Sequence, residues 1–281
     1  SCDEEMLERN KTIIVIPAII ASKQRLAELL AELEIYYLGN KDKNIFFALL
    51  GDFKDSEKEI NLDEDRINDF GLRKIKELNE KYFPIDRPQF FFLNRKQVFN
   101  ENEGVYMGRE RKRGKLEEFI NLIKGNSDHT YNVVSSDISI LHDAKYIITL
   151  DADTILPIDA GKRLIGKMAH ILNRPVIQDS IIVRGYGIMQ PKVGVKLKDK
   201  YKTKFSEIFA GNAGVDGYST ATFDLYQDMF NEGIYIGKGI LDIDIFYNIV
   251  NGQIPRNKIL SHDLLEGALA RCALVSDIEV I

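Results

Sequence analysis

The stretch "KYIITLDADTILP", residues 145–157, carries an apolar run into two acids one residue apart, Asp151 and Asp153. Neighbouring carboxylates repel, so a chain that folds them together generally gives them a cation to share. Two oxygen donors suit Mg²⁺ or Mn²⁺, hard cations that keep water and substrate phosphate in their remaining positions. The other reading is a strand-to-helix loop in which Asp153 or Thr154 assists capping, with Pro157 near the first helical turn. Asp-x-Asp also occurs at 63–65, where it reads as a solvated helix start, and at 242–244.

Two further constellations have chemical content. "MGRERKRGK" (107–115) sets Arg109, Arg111, Lys112, Arg113 and Lys115 at a helix start, where cations oppose the helix dipole. Phosphate oxygens would account for them, since the arginine fork matches phosphate geometry. A solvated face paired with Glu110 and Glu117 accounts for them equally well. In "SHDLLEG" (261–267), Asp263 and Glu266 form an Asp-x-x-Glu capping signature. The chemical alternative makes Asp263 a general base aimed from a short helix. His262 beside it is by type a hydrogen-bonding partner, a base or a ligand, whereas His129, His142 and His170 have no metal or triad spacing. Residues 207–246 mix glycines with Tyr218, Phe223, Tyr226, Phe230 and Tyr235. Aromatic faces there suit a sugar ring, and the plainer reading is a loop anchored by its aromatics.

These residues need a frame. "KTIIVIP" (11–17) reads as a buried strand stopped by Pro17, and Leu26, Leu29, Leu30, Leu33 and Tyr37 repeat at helical spacing behind Ser22, a candidate N-cap. "NIFFALLGDF" (44–53) is a second strand, 63–82 an amphipathic helix, and "QFFFLNR" (89–95) a third strand. A helix carrying Leu116, Phe119, Ile120 and Ile123 ends near Gly125; "KYIITL" (145–150) is the fourth strand, followed by a helix from about Asp159 to Leu172. Alternating strands and helices predict a mainly parallel sheet covered on both faces. Asp52 and Asp151 then lie at the carboxyl ends of strands, where such sheets bind ligands. After 175 the pattern changes to strands around a Gly185-Tyr186-Gly187 turn, a glycine-rich region (211–239) and short helices to the end.

Composition sets outer bounds. With 281 residues, 44% hydrophobic and 29% charged, the chain is an ordinary globular one, and its net charge of −5 argues against a general affinity for nucleic acid. Cys2 and Cys272 are too few for a disulfide framework. No window approaches the ~18 apolar residues of a membrane span. The start "SCDEE" and the end "SDIEVI" read as the edges of a piece excised from a longer protein.

Two enzyme classes place an Asp-x-Asp pair at a strand end. Phosphohydrolases use Asp-x-Asp-x-Thr with the first Asp as nucleophile, but Ile155 stands where the Thr belongs and no acidic metal set follows. Nucleotide-sugar transferases of the GT-A type need a nucleotide-binding α/β half, the acid pair, then an acceptor half, and that order fits. Taken together, "GRERKRGKLEEF", "KYIITLDADTILP", "RLIGKMAHILNRP", "GYGIMQPKV", "IGKGILDIDIF" and "SHDLLEGALAR" resemble the glucosyltransferase domain of cyclic β-1,2-glucan synthases, in order and from about Lys11 onward.

The resemblance implies one GT-A-like α/β/α sandwich over 1–281, with residues 11–155 as nucleotide-sugar half and 156–281 as acceptor half. It implies inverting transfer of glucose from UDP-glucose to the 2-hydroxyl of a β-1,2-glucan. Asp151 and Asp153 would hold a divalent metal, Mg or Mn, and Asp263 would be the catalytic base. Asp52 belongs on the donor side, where Arg109, Arg113 and Lys115 are also expected; Asp242, Tyr218 and Lys238 are expected on the acceptor side. Membrane-spanning and phosphorylase-like regions of the same parent polypeptide, at the cytoplasmic face of a bacterial inner membrane, complete the implied context. Family members also carry an Arg-Trp segment after this chain's last motif. A non-catalytic nucleotide-sugar or carbohydrate-binding module of the same fold is the rival reading.

Overall fold

A computed structural model describes residues 2–58, 62–84, 87–194, 227, 229–251, 253 and 262–281. Within them, eight strands form one sheet in the order β12-β10-β11-β7-β1-β2-β3-β6. Its centre is parallel: β1 (Thr12–Ile20) lies between β2 (Ile45–Phe53) and β7 (Tyr146–Thr149), and β3 (Phe90–Arg95) adds beside β2. β6 (Tyr131–Val134) closes one edge antiparallel to β3. On the other side β11 (Gly239–Asp242) runs antiparallel to both β7 and β10 (Ile188–Val193), and β12 (Cys272–Val280) lies parallel to β10. Both halves of the chain therefore contribute to a single, mainly parallel sheet.

Period-two alternation sorts each central strand between two cores. Ile14, Ile16, Phe47, Leu49, Phe90 and Phe92 face one layer, against α2 (Lys23–Gly39), α3 (Leu62–Tyr82) and α5 (Ala160–Ala169). Ile13, Val15, Phe46, Ala48, Phe91 and Leu93 face the other, against α4 (Arg111–Ile123) and the helical turns of 243–250. The predicted leucines Leu26, Leu29, Leu30 and Leu33 are the buried stripe of α2, each contributing about 1.5–3 kcal/mol. Ser22 caps that helix, its hydroxyl accepting from Arg25 N at 3.1 Å. Gly125, at φ 75, follows the C-cap of α4 as expected.

Three expectations are corrected. β1 runs through Pro17 to Ile20: the carbonyl of Val15 takes the last bond from the β7 side, from Leu150 N at 3.2 Å. Pro17, two residues on, faces that same side after β7 has ended, so its missing N–H leaves no acceptor unpaired. The chain closes on the long strand β12, not on short helices alone; Val275 and Val280 are among its residues paired with β10, and among the described residues the helical turns of 243–250 and α6 (Asp263–Ala270) precede it. The helix from Asp159 also stops earlier, at Ala169, with a 3₁₀ turn over Ile171–Asn173.

Small elements complete the fold. β4 (Val98–Asn100) and β5 (Val105–Met107) pair as a hairpin, as do β8 (Val176–Gln178) and β9 (Ile181–Arg184). The second turns through Asp179 and Ser180, both at positive φ, the type I′ geometry that matches strand twist. No helix among the described residues is long and apolar enough to cross a membrane.

Candidate functional site

β7 leaves the sheet at Asp151, and the loop that follows is held from three sides. Thr154 N donates to Asp151 O at 3.0 Å, closing a turn. Arg25 of α2 donates to Ala152 O at 3.2 Å, and the buried Tyr36 hydroxyl donates to Thr154 O. Ile281, at the end of β12, exchanges backbone bonds with Ile155. The N-cap of α5 is Asp159, in a left-handed conformation without a side-chain cap bond. Burial, with Glu32, Asp153 and Asp151 in that order, pushes the Tyr36 hydroxyl above its ordinary range.

The basic segment resolves into separate ion pairs. Arg95, fully buried at the end of β3, forks onto Asp52 with Nε–Oδ1 and Nη2–Oδ2 both 2.7 Å. It also meets Glu118 at 3.2 Å and donates to the carbonyls of Arg109 (2.9 Å) and Arg111 (3.0 Å). That clamp holds two successive left-handed residues, Glu110 (φ 53) and Arg111 (φ 48), at the start of α4. A Cβ on Gly108 would lie 2.5 Å from the Asp52 carboxyl carbon, so the close approach demands glycine. Lys115 reaches Asp52 at 3.1 Å and Ala18 O at 2.7 Å; burial brings its ammonium down to about 8, against the pull of Asp52. Arg109 pairs with Glu118 and Asp128, and Arg113 lies among Glu110, Glu117 and Glu266.

Lys112 is directed elsewhere. Its ammonium bonds Asp151 Oδ1 and donates to Gly237 O at 2.8 Å. Lys238 meets the other oxygen, Asp151 Oδ2, at 3.2 Å. Gly237 adopts φ 81, and a Cβ there would lie 3.0 Å from Asp263 Oδ2 and 3.2 Å from Lys112 Nζ. One glycine therefore brings together the start of α4, the start of α6 and the end of β7. A separate cleft of 670 Å³ opens at the carboxyl ends of β1 and β2, lined in part by Ser22, Lys23, Lys54 and Asp63 and not by Asp151, Lys112 or Asp263.

Asp263 is the first residue of α6, and the cap position belongs to His262, which makes no side-chain cap bond. The capping signature therefore misassigns Asp263. Burial holds its carboxyl above the ordinary range; Lys112 opposes this and Asp151 adds to it. Glu266, one turn on, is buried against Arg113 at 3.3 Å, and burial together with the Asp263 charge pushes it up to about 7. An acid with a raised folded-state value stabilises below its unfolded value and loses that contribution as pH rises. Melting temperature should consequently fall between pH 4.5 and about 7, and Glu266→Gln should flatten that decline. A thermal-melt series that declines equally in both proteins would refute this assignment.

Mg²⁺ or Mn²⁺ binding by Asp151 and Asp153 is compatible with this geometry. The donors are oxygens, and each Asp151 oxygen already accepts a cationic partner. No cluster of three His, Cys, Asp or Glu groups forms among the described residues. A cation held by one or two carboxylates and completed by substrate phosphate requires none.

No family model matches the chain. It is 40% identical, over an alignment of 281 residues, to the cyclic beta-(1,2)-glucan synthase NdvB of Rhizobium meliloti (strain 1021). This chain is a homologue of part of that synthase. The alignment takes in 98% of the chain and 10% of the relative's length. The resemblance read from the motifs is borne out. Among solved structures, residues 1–349 of S. aureus TarS superpose with a TM-score of 0.43 at 11% identity, covering 96% of this chain and 59% of that one.

The predicted site residues thus fall into groups. Asp151 and Asp263 come together around Gly237, and Asp153 shares the pinned loop. Lys238, expected on the acceptor side, sits on Asp151. Asp52, Arg113 and Lys115 are buried in ion pairs, with Arg109 partly exposed beside them. Asp242 is buried and accepts from Ile245 N at 3.1 Å, capping the turn that follows β11. Tyr218 lies outside the described residues. Lys112 is the residue that the reading passed over. Its signal was helical phase: it precedes Leu116 by four residues and Phe119 by seven, on the face turned toward the sheet.

Proposed function

We propose that this chain is the catalytic core of a metal-dependent, inverting glucosyltransferase of the GT-A type. Glucose passes from UDP-glucose to the 2-hydroxyl of a β-1,2-glucan chain, within a larger polypeptide whose membrane-spanning and phosphorylase-like regions hold it at the cytoplasmic face. The observation that carries the reading is the meeting of Asp151, Lys112 and Asp263 around Gly237 at the carboxyl edge of the sheet. Homology to a cyclic beta-(1,2)-glucan synthase supplies the sugar chemistry.

The residues divide the work. Asp151 and Asp153 would hold Mg²⁺ or Mn²⁺, which when bound offsets negative charge on the departing diphosphate. Lys112 and Lys238 add positive charge beside them. Asp263, whose burial makes it a stronger base than a solvated aspartate, takes the proton from the acceptor hydroxyl. The oxygen so freed attacks the anomeric carbon opposite the UDP, and the carbon–oxygen bond to UDP breaks with its electron pair leaving on the phosphate. Attack from that face converts an α-linked donor to a β-linked product.

Calorimetric titration of UDP and UDP-glucose, with and without Mn²⁺, tests the donor site. Metal-dependent binding is expected, weakened at least about tenfold by Asp153→Ala. Equal binding with and without Mn²⁺ in both proteins would remove the metal from the mechanism, and no binding to the unaltered chain would remove the donor.

A further inference from the structure

Asp151 already has an ammonium on each oxygen. Lys112 arrives from the first turn of α4 and Lys238 from the residue before β11. Lys112 is anchored a second time on Gly237 O, at 2.8 Å. The two lysines are partly exposed, at 37% and 19%, and Asp151 at 36%, so all three groups can meet a ligand without unfolding. Lys115, by contrast, is spent on Asp52 and Ala18.

A divalent cation on Asp151 would face two ammonium groups at hydrogen-bonding range of its own ligand. Like charges at that distance repel strongly where solvent screening is incomplete. The cation therefore enters only if both lysines release the carboxylate. Nothing in the metal itself offers them a new partner. A diphosphate does, because its oxygens accept ammonium donors as readily as a carboxylate does.

Resting on the donor-site reading above, we infer that Lys112 and Lys238 are internal counter-cations that make metal binding conditional on the diphosphate. They occupy Asp151 in the empty site and transfer to phosphate oxygens as the metal arrives. Metal and nucleotide then bind as a coupled pair, each raising the affinity for the other by the same factor. A resident ammonium in place of free carboxylate also keeps adventitious cations out between turnovers.

The test measures Mn²⁺ binding to the chain by electron paramagnetic resonance of free Mn²⁺, with and without UDP. The proteins are the unaltered chain, Lys112→Met/Lys238→Met, and Lys112→Arg, which retains the cation. Without UDP, the double variant should bind Mn²⁺ about tenfold more tightly than the unaltered chain, and the enhancement by UDP should shrink about tenfold, leaving only what direct phosphate ligation of the metal contributes. In the presence of Mn²⁺ its affinity for UDP should drop about tenfold or more. Lys112→Arg should stay close to the unaltered protein, which also reports that the helix start tolerates substitution. Unchanged or weaker Mn²⁺ binding by the double variant overturns the inference, whatever UDP does. Failure of UDP to bind the unaltered chain with Mn²⁺ present overturns the donor reading instead, and the arm without UDP still decides the competition between lysine and metal.

Discussion

Asp263→Asn is expected to slow UDP release from UDP-glucose in the presence of a β-glucan acceptor by about 10²–10⁴-fold, the usual contribution of a positioned general base. Affinity for UDP should stay within about twofold, because the carboxylate faces Gly237 and Lys112 and is not one of the proposed metal ligands. The amide keeps the size of the side chain and the start of α6. Since the cap position belongs to His262, the helix should lose only the interaction of the Asp263 charge with its first turn, about 0.3–1 kcal/mol. The rate is measured in the intact protein as the cell makes it. Loss of transfer with UDP binding retained separates a catalyst from a module that only binds, for which the substitution would be silent in both assays. Loss of UDP binding in parallel with transfer would instead place Asp263 among the donor contacts.

The first half of the fold was legible because its signals are local. β1, β2 and β3 are runs of β-branched and aromatic residues, and α2 carries its own cap and leucine stripe. What escaped depends on contacts distant in sequence. β6 has four residues with only Tyr131 fully buried, and it exists as a strand because β3 offers an unpaired edge. β12 follows α6 after one residue and finds its partner in β10, so no periodicity within 260–281 announces it.

The site shows the same division. Asp151 and Asp263 were readable because an acid beside a turn either caps a helix or serves a site; the cap positions went to Asp159 and His262, and both acids were found at the carboxyl edge. Five cations in nine residues cannot be ranked by type. Their roles are set by which acids the fold brings to them: Asp52 to Lys115, Glu266 to Arg113, Asp151 to Lys112. Asp52 was read from its place at a strand end, and its neighbour Arg95 lay in another strand that looked merely apolar. The dipole-opposing charges at the start of α4 are thus offset by acids from other elements.

Arg95→Met is the substitution expected to harm the fold most. It removes a fully buried guanidinium from between Asp52 and Glu118, whose side chains are 6% and 1% exposed. Breaking one side of such a buried pair typically costs about 3–5 kcal/mol, because the remaining charges are left short of partners. Asp52 would keep Lys115, and Glu118 would keep Arg109 and Thr130, which holds the loss within that range. Melting temperature should drop by roughly 10 °C for a chain of this size. The damage should also reach the site, since Arg95 holds the carbonyls of Arg109 and Arg111 and thereby the left-handed turn that launches Lys112. Arg95→Lys should rescue little, because a single ammonium cannot fork onto Asp52 and still reach both carbonyls. Adding Asp52→Asn to Arg95→Met should recover part of the stability, so the double variant loses less than the two single losses combined. Strict additivity, or a cost below about 1 kcal/mol for Arg95→Met in urea unfolding, would mean that the cluster does not brace the start of α4. Lys112 would then owe its position to Asp151 and Gly237 alone.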